Sequence, residues 1–463
     1  MENSNLSFKT KYSFGIGALG KDLCYAIMSS FLMIYLTDSV GISAAFVGTL
    51  FLVARIWDAF NDPMMGMIVD NTRTKFGKFR PWIMIGTILN SVVLVLLFTK
   101  PNLSGTSLYA YFSVVYILWG MTYTMEDISY WSMLPCLSKT PEERDKMSVI
   151  PRIFASSAWL IVGAFGITII NKLGKGDELV GYSRFAIGIA VVFIVTAVIT
   201  CVNVKEKSTA IEENDLNSQV KKEKIGFKGM MKVILANDQL KVFIGVVLCY
   251  NLVVQLYGGV AMYYFKYVTG NANMYSVFTA CAGIAEISGL FFFPVLTKTI
   301  GREKVFKIAA FIPVVGLVML LVSGIFAPTN ALLIAGSGAI CKLGSGFTLG
   351  ATTVMIADVI DYGEYKIGTR NESIIASFQT LLVKSASAVS GWLVGVGLTI
   401  VGYVPNVEQS AATIMGMRIL MIGVPSVITV VSYFIYKNGY KLKGEYQQEI
   451  MSELEKRREE QAA

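Results

Sequence analysis

Apolar segments of about 20 residues recur along the chain, separated by short polar connections. An α-helix needs about this length to cross the hydrocarbon core of a bilayer. The pattern predicts twelve helices, six on each side of a polar stretch: 14–36, 43–69, 81–99, 107–135, 151–171 and 184–203, then 240–265, 274–297, 305–326, 331–357, 374–402 and 412–436. We therefore expect an all-α integral membrane protein whose twelve transmembrane helices form two six-helix halves.

The polar connections divide and orient the chain. Residues 204–239 are too charged to span a membrane, so we predict an N-terminal half over 1–203, a cytoplasmic middle loop over 204–239, a C-terminal half over 240–440 and a cytoplasmic tail over 441–463. Basic residues are concentrated in alternate loops, and such residues stay on the cytoplasmic side of a membrane. The charges therefore predict a multi-pass protein with both termini in the cytoplasm.

The composition limits the classes of function that the chain could have. Only 16% of the residues are charged and 54% are hydrophobic, which is too little charge to coat water-soluble domains with this much apolar mass. The net charge of +8 belongs to the loops and does not indicate nucleic-acid binding. The chain has no histidine, and its six cysteines form no CxxC pair, so neither a Ser-His-Asp group nor a zinc site is indicated. We expect no enzyme activity.

The second predicted span carries charges that are expensive in a membrane. An ionisable group at the centre of a span costs about 2.5–3.5 kcal/mol on insertion scales. Asp58, Asn61 and Asp62 share one helix face by their three- and four-residue spacing, and Arg55 lies one turn earlier. Two close carboxylates repel unless a cation or proton lies between them, and hard oxygen ligands suit an alkali ion. The alternative is an internal ion-pair network with Arg55.

The fourth predicted span presents Thr124, Asp127 and Trp131 on one face. A carboxylate beside an indole ring suits a sugar, because the carboxylate accepts hydroxyl hydrogens and the ring stacks on the C–H face. Trp131 as an interface anchor is the alternative. Glu126 points about 100° away from Asp127, and its role stays open.

Other residues within the predicted spans give weaker indications of a polar pocket, of helix packing and of gate ion pairs. Asp22 in the first span and Arg152 in the fifth could form a polar pocket with Asp127. Because neighbours in sequence lie on different helix faces, we expect Lys21 and Asp22 to meet different partners. Three glycines of the first span should allow close helix packing: Gly15, Gly17 and Gly20. In the second half, three acidic residues near a cytoplasmic end are expected to form gate ion pairs: Asp358, Asp361 and Glu364. Glu286 is unexplained.

The loop after the second span matches the Gly-xxx-Asp and basic-Gly-basic pattern of the major facilitator superfamily. It runs from Gly66 through Asp70 and Arg73, and a weaker version around Arg302 occupies the equivalent place in the second half. Two related halves are typical of this fold, so we expect the major facilitator fold. The other interpretation of this motif, a solvated loop whose basic residues simply stay on the cytoplasmic side of the membrane, is compatible with this fold.

Longer motifs identify a family. They are RIWDAFNDP (55–63), GKFRPW (77–82), WGMTYT (119–124), DYGEYK (361–366) and GYVPNVEQS (402–410). Over about residues 11–440 the chain resembles the glycoside–pentoside–hexuronide:cation symporters, in particular the melibiose-carrying members. The resemblance implies sodium-coupled symport of a galactoside-like sugar by alternating access, with lithium or a proton as other co-substrates. It also implies a bacterial-type inner (plasma) membrane, surrounding lipids, no further cofactor, no nucleic acid and a functional monomer.

The resemblance also assigns residues to two sites. It implies that the sodium site consists of Asp58, Asn61, Asp62 and Thr124. It implies a galactoside site made of Lys21, Asp22, Tyr123, Asp127, Trp131, Arg152, Thr380, Val383 and Lys384. Leu349 stands where melibiose carriers have a tryptophan, so the resemblance does not determine the identity of the sugar or of its aglycone. Another glycoside, pentoside or hexuronide is the main alternative, and a lipid transporter or a non-transporting sensor are further ones.

Overall fold

A computed structural model of the chain describes residues 7–137, 141–204, 236–368 and 372–462, and most of the predicted middle loop lies outside these ranges. A few side chains within them, including those of Asp70 and Thr380, are also outside the description. The described chain is helical nearly throughout. Its helices are α1 (Phe8–Ile34), α2 (Ala44–Asn71), α3 (Arg80–Leu97), α4 (Thr106–Leu137), α5 (Pro141–Gly174), α6 (Glu178–Asn203), α7 (Asp238–Tyr263), α8 (Asn273–Ile300), α9 (Arg302–Phe326), α10 (Ala331–Ile367), α11 (Glu372–Ile400), α12 (Ala411–Gly439) and α13 (Gly444–Ala462).

The helices α1–α12 correspond to the twelve predicted spans. Within the described ranges, eleven of them are long and apolar enough to cross a membrane, and α4 is the exception. Helix α4 has 32 residues, which is ample length, but tyrosine and tryptophan side chains such as Tyr116, Trp119 and Tyr123 lower its mean hydropathy. One of these aromatic residues, Tyr123, belongs to the candidate site described below. The all-α fold with twelve transmembrane helices in two halves is confirmed.

The chain forms two compact units. The first unit contains α1–α6, and its centre is α1, which packs against α5 and α6 through glycines. A β-carbon on Gly15 would lie 2.5 Å from the Phe154 ring, and one on Gly20 would lie 1.9 Å from the Thr196 hydroxyl oxygen. Only glycine allows this approach, so the predicted close packing of the first span is confirmed.

The first unit also includes Gly395–Glu408, a segment that the sequence division places in the C-terminal half. A β-carbon on Gly395 would lie 2.3 Å from the Ala44 carbonyl oxygen. The Tyr403 hydroxyl donates to the Asp38 carboxylate, and the Asn406 amide donates to the Asp38 carbonyl at 2.5 Å. These contacts explain why the end of α11 and the following loop pack with the first unit.

The second unit comprises α7–α10, α11 up to Val394, and the chain from Gln409 onward. Its core includes Phe306 of α9, whose ring stacks on Tyr436 of α12 with centroids 4.2 Å apart. The charged tail forms α13 and buries Ile450 and Leu454 in the same core. Because these two residues lie four apart, α13 presents one apolar stripe to the unit and leaves its charges outside.

Candidate functional site

Helix α2 positions the predicted cation ligands in the first unit. Arg55 Nη1 donates to Asp58 Oδ2 at 2.8 Å, and Asp58 is buried. The spacing of three residues on one helix produces this pair. The alternative prediction for this span was an internal ion pair with Arg55, and the structure contains this pair at Asp58. Asp62 is the second carboxylate on the same helix face.

Helix α4 completes this set. The Thr124 hydroxyl donates to Asp62 Oδ1 at 3.0 Å, and Thr124 is buried. The amide nitrogen of Asn61 is buried without a hydrogen-bond partner among the described residues. A β-carbon on Gly120 would lie 3.2 Å from Asp58 Oδ1, so glycine there lets α4 approach α2. The structure thus brings Asp62 and Thr124 together.

A buried lysine organises the predicted sugar residues. Lys21 is 3% exposed, and its Nζ lies 2.6 Å from Asp127 Oδ1 and 3.5 Å from Asp22 Oδ2. The same Nζ lies 3.4 Å from the Tyr123 hydroxyl and 5.2 Å from the Trp131 ring centroid. As expected, Lys21 and Asp22 meet different partners, since Lys21 binds Asp127 whereas Asp22 lies beside the Trp159 indole, and the lysine ammonium also stays near its own neighbour.

The two carboxylates differ in access, and aromatic side chains surround them. The Asp127 side chain is 35% exposed, whereas that of Asp22 is more buried and lies beside the Trp159 indole. The Tyr25 ring centroid lies 5.3 Å from that of Tyr123 and 5.9 Å from that of Trp159. Sequence reasoning missed Tyr25 and Trp159. The available signal for Tyr25 was its spacing, because it follows Lys21 by one helical turn.

Four other residues were predicted for the sugar site, one in the first unit and three on α11. Arg152 is exposed and forms no ion pair with Asp22 or Asp127 in the described part of the chain. Val383 and Lys384 lie on α11 in the second unit, where Val383 is exposed and Lys384 is partly buried. Their roles, like that of Thr380, stay predictions.

One predicted gate residue, Asp358, is the centre of a hydrogen-bond network in the second unit. Asp358 accepts hydrogen bonds from Tyr440 at 2.7 Å and Gln447 at 2.5 Å, and Arg302 Nη1 lies 3.4 Å away. These bonds connect α9, α10, the end of α12 and α13. Burial, with the nearby Asp358 carboxylate, raises the pKa of the Tyr440 phenol well above its usual range. The phenol therefore stays protonated and keeps donating.

The other two predicted gate residues follow Asp358 on α10, and two residues of the major facilitator loop motif lie in the first unit. Asp361 and Glu364 lie partly buried on the same helix as Asp358. In the first unit, Arg73 is exposed and donates to the Thr72 carbonyl oxygen at 3.2 Å. Asp70 lies outside the described side chains.

The two unexplained acids have different surroundings. Glu126 is 1% exposed, and its Oε2 has no hydrogen-bond partner within the described ranges. It faces α3, where a β-carbon on Gly86 would lie 2.8 Å from the Glu126 backbone nitrogen. Glu286 instead pairs with Lys342 at 3.2 Å in the second unit.

Together these features define a polytopic membrane transporter, with ionic side chains held inside the helical spans. The chain belongs to the family described as "MFS/sugar transport protein", whose model matches residues 13–443. Membership in the glycoside–pentoside–hexuronide symporters of the major facilitator superfamily is thereby confirmed.

Comparisons with individual proteins agree. The chain is 30% identical over 432 residues to an isoprimeverose transporter of Lactiplantibacillus pentosus, covering 92% of this chain and 88% of the relative. It is 28% identical over 470 residues to a lactose permease of Lactobacillus delbrueckii subsp. bulgaricus, covering 96% and 72%. The structure matches that of the nucleoside transporter NupG with a TM-score of 0.66 and 12% identity, over 93% of this chain and 100% of the other. The last likeness shows the fold alone.

Proposed function

We propose that the protein couples uptake of a galactoside-like sugar to sodium. The observation that carries this proposal is the arrangement on α4, where Thr124 is bonded to Asp62 at 3.0 Å and Asp127 is bonded to Lys21 at 2.6 Å. Thr124 and Asp127 lie one turn apart, so a cation at the first and a sugar at the second would act on the same helical turn. Such adjacency supports coupling between the two ligands.

The ligand chemistry of α2 supports an alkali cation. Arg55 pairs with Asp58, and Asp62 accepts a hydrogen bond from the Thr124 hydroxyl. With Asn61, these residues offer carboxylate, amide and hydroxyl oxygens, which are hard ligands of the kind that suit an alkali ion.

The chemistry around Lys21 supports a polyhydroxylated ligand. Asp22 and Asp127 can accept charge-assisted hydrogen bonds from sugar hydroxyls, which are roughly twice as strong as neutral ones. The rings of Tyr25, Tyr123 and Trp159 supply flat apolar surface for the C–H face of a sugar. A lipid would not satisfy these carboxylates.

The second candidate is symport of another glycoside, a pentoside or a hexuronide. Leu349 favours it, because this side chain on α10 is 39% exposed and is aliphatic where melibiose carriers have an aromatic wall. The names of relatives that transport isoprimeverose and lactose point the same way. We further propose that the protein works as a monomer with both termini in the cytoplasm.

Counterflow in sealed proteoliposomes tests both candidates. The panel contains melibiose, lactose, raffinose, isoprimeverose, a pentoside and a hexuronide, each with sodium, lithium or only potassium present. We expect exchange of at least one galactoside to rise with sodium. Exchange of a pentoside or hexuronide alone supports the second candidate. Sugar exchange that does not respond to sodium, lithium or pH contradicts cation coupling.

A further inference from the structure

The second unit contains a cavity among four of its helices, α7, α9, α10 and α12. Its empty volume is about 790 Å³, the mouth included. Well-packed protein interiors leave few spaces larger than a water molecule, whereas pockets that hold small molecules have volumes of about 300–1,000 Å³. The cavity is therefore large enough to be a ligand site.

Close packing on either side explains why these helices leave a space between them. A β-carbon on Gly344 of α10 would lie 2.7 Å from Pro313 Cγ of α9. On the other side, a β-carbon on Gly439 of α12 would lie 2.7 Å from Val242 Cγ2 of α7. Glycine thus joins α9 to α10 and α7 to α12 at close range. The cavity lies between these two helix pairs.

Most of the cavity wall is apolar. Helices α7, α9 and α12 contribute aliphatic and aromatic side chains to it, for example Val254, Leu317 and Tyr433. An apolar cavity stays dry, because a buried water molecule needs two to four polar partners. The group that fills this part of the cavity is therefore apolar, and an alkyl chain has the required chemistry.

A smaller part of the wall is polar and consists of Lys342, Ser345 and Tyr250. Lys342 Nζ lies 3.2 Å from Glu286 Oε1 and 3.3 Å from Oε2, and the Ser345 hydroxyl donates to Oε1 at 2.9 Å. The Tyr250 hydroxyl lies 3.3 Å from Ser345 Oγ. An ammonium group has three N–H donors, and at most two of them can point at the two Glu286 oxygens. At least one N–H therefore remains for another acceptor.

The polar wall has no net charge. Lys342 is the one charged residue among the described residues that line the cavity, and Glu286 compensates it. A charged ligand would bring an uncompensated charge into a low-dielectric interior, which is costly. The wall therefore favours an uncharged head group that carries a hydrogen-bond acceptor.

We propose that this cavity binds an uncharged single-chain amphiphile from the bilayer. Its alkyl chain occupies the apolar part, and an ester or hydroxyl oxygen of its head group accepts a hydrogen bond from Lys342. A methylene group occupies about as much space as a water molecule, about 30 Å³, so one chain of about 18 carbons needs about 540 Å³ and two chains need about 1,080 Å³. The volume of the cavity thus suits one chain and not the two chains of a phospholipid.

The inference does not depend on the proposed function. Among the described residues that line the cavity, none was predicted for the cation site or for the sugar site. Failure of sodium coupling would leave the cavity and its ligand chemistry unchanged.

Photolabelling of the full-length protein in nanodiscs tests the proposal. The probe is a monoacylglycerol with a diazirine in its 18-carbon chain, and mass spectrometry identifies the labelled residues. We expect labels on the residues that line the cavity. Ala310→Trp, which fills the cavity from α9, should reduce these labels at least tenfold. The matched control Val315→Trp adds the same ring to the opposite face of α9, where Val315 is 57% exposed, and should leave them unchanged.

Two further probes test the head group and the number of chains. They are an alkyl sulfonate and a phosphatidylcholine, each with the diazirine at the same chain position. Both should label the cavity at least threefold less than the monoacylglycerol, and equal labelling by the sulfonate would contradict an uncharged head group. Labels confined to outward residues of α9, such as Val315 and Val322, would overturn the inference. If Ala310→Trp does not fold, Cys249→Phe fills the cavity from α7 instead.

Discussion

Replacing Thr124 by valine is the sharpest test of the proposed coupling. Valine keeps the shape of threonine and deletes only the hydroxyl that bonds to Asp62 at 3.0 Å. The hydroxyl can donate its proton to Asp62 and present its lone pairs to an ion at the same time. A hydrogen bond to a charged group contributes about 1.5–3 kcal/mol. Since 1.4 kcal/mol corresponds to a factor of ten, we expect sodium to bind about 10- to 150-fold more weakly.

The effect on the sugar should be indirect. Thr124→Val leaves Asp127 and its contact with Lys21 in place, so sugar affinity without sodium should change less than about threefold, well under one factor of ten. Coupling free energy is reciprocal, so sodium and sugar should raise each other's affinity by one common factor. That factor should shrink in the variant. Calorimetric titration of sugar at several sodium concentrations, and of sodium at several sugar concentrations, measures it from both sides.

Two controls make the test specific. Thr124→Ser retains the hydroxyl and should retain the coupling. Thr122→Val removes a hydroxyl from the same helix that bonds instead to the Leu118 carbonyl and to Asn90, so it should leave sodium affinity unchanged. If Thr124→Val binds sodium like the wild type, the ion lies elsewhere. If sugar affinity in the wild type is flat across both sodium and pH, the protein is not a coupled symporter.

Three further outcomes follow from the same contacts. Asp62→Cys should remove the sodium dependence of uptake while membrane insertion persists, and sodium-stimulated uptake in this variant would place the ion site elsewhere. Asp127→Ala should weaken galactoside binding at least about a hundredfold and retain sodium binding, because it removes two hydrogen bonds from sugar hydroxyls of about 1.5–3 kcal/mol each. A change of less than threefold by calorimetry would exclude Asp127 from the pocket. Gly20→Ala should lower the melting temperature of the purified protein, since the new β-carbon would lie 1.9 Å from the Thr196 hydroxyl oxygen. The control Gly188→Ala on α6 places its β-carbon in open space and should not lower it. Equal melting temperatures for the two variants would contradict this packing.

Hydropathy and helical spacing were sufficient to predict the fold. The length of each apolar segment is set by the bilayer, so the twelve helices and their order follow from the sequence. Spacing also placed Asp58 and Asp62 on one face of α2, which is a property of a single helix that a sequence reports directly. The family resemblance, and not spacing, joined Thr124 to them.

The partners of long side chains were not predictable in this way. Lys21 holds both Asp22 and Asp127, because a four-carbon side chain can reach across the space between α1 and α4. Arg152 has similar reach but is exposed, and only the packing of α5 decides this. The placement of Gly395–Glu408 in the first unit depends on tertiary contacts that no local pattern encodes.

The contacts of α2 change the expected reason for ion binding. Repulsion between Asp58 and Asp62 was that reason, but Arg55 already pairs with Asp58 at 2.8 Å. The proposed ion would therefore be held by the oxygen ligands of Asp62, Asn61 and Thr124, and not by two adjacent bare carboxylates.

On the proposed function, an ion at Asp62 and Thr124 would take ligands from both helices and would so hold α2 against α4. Because Asp127 lies one turn from Thr124 on α4, this contact would also fix the carboxylate that accepts the sugar hydroxyls. The event that binds the ion would then be the same event that prepares the sugar site.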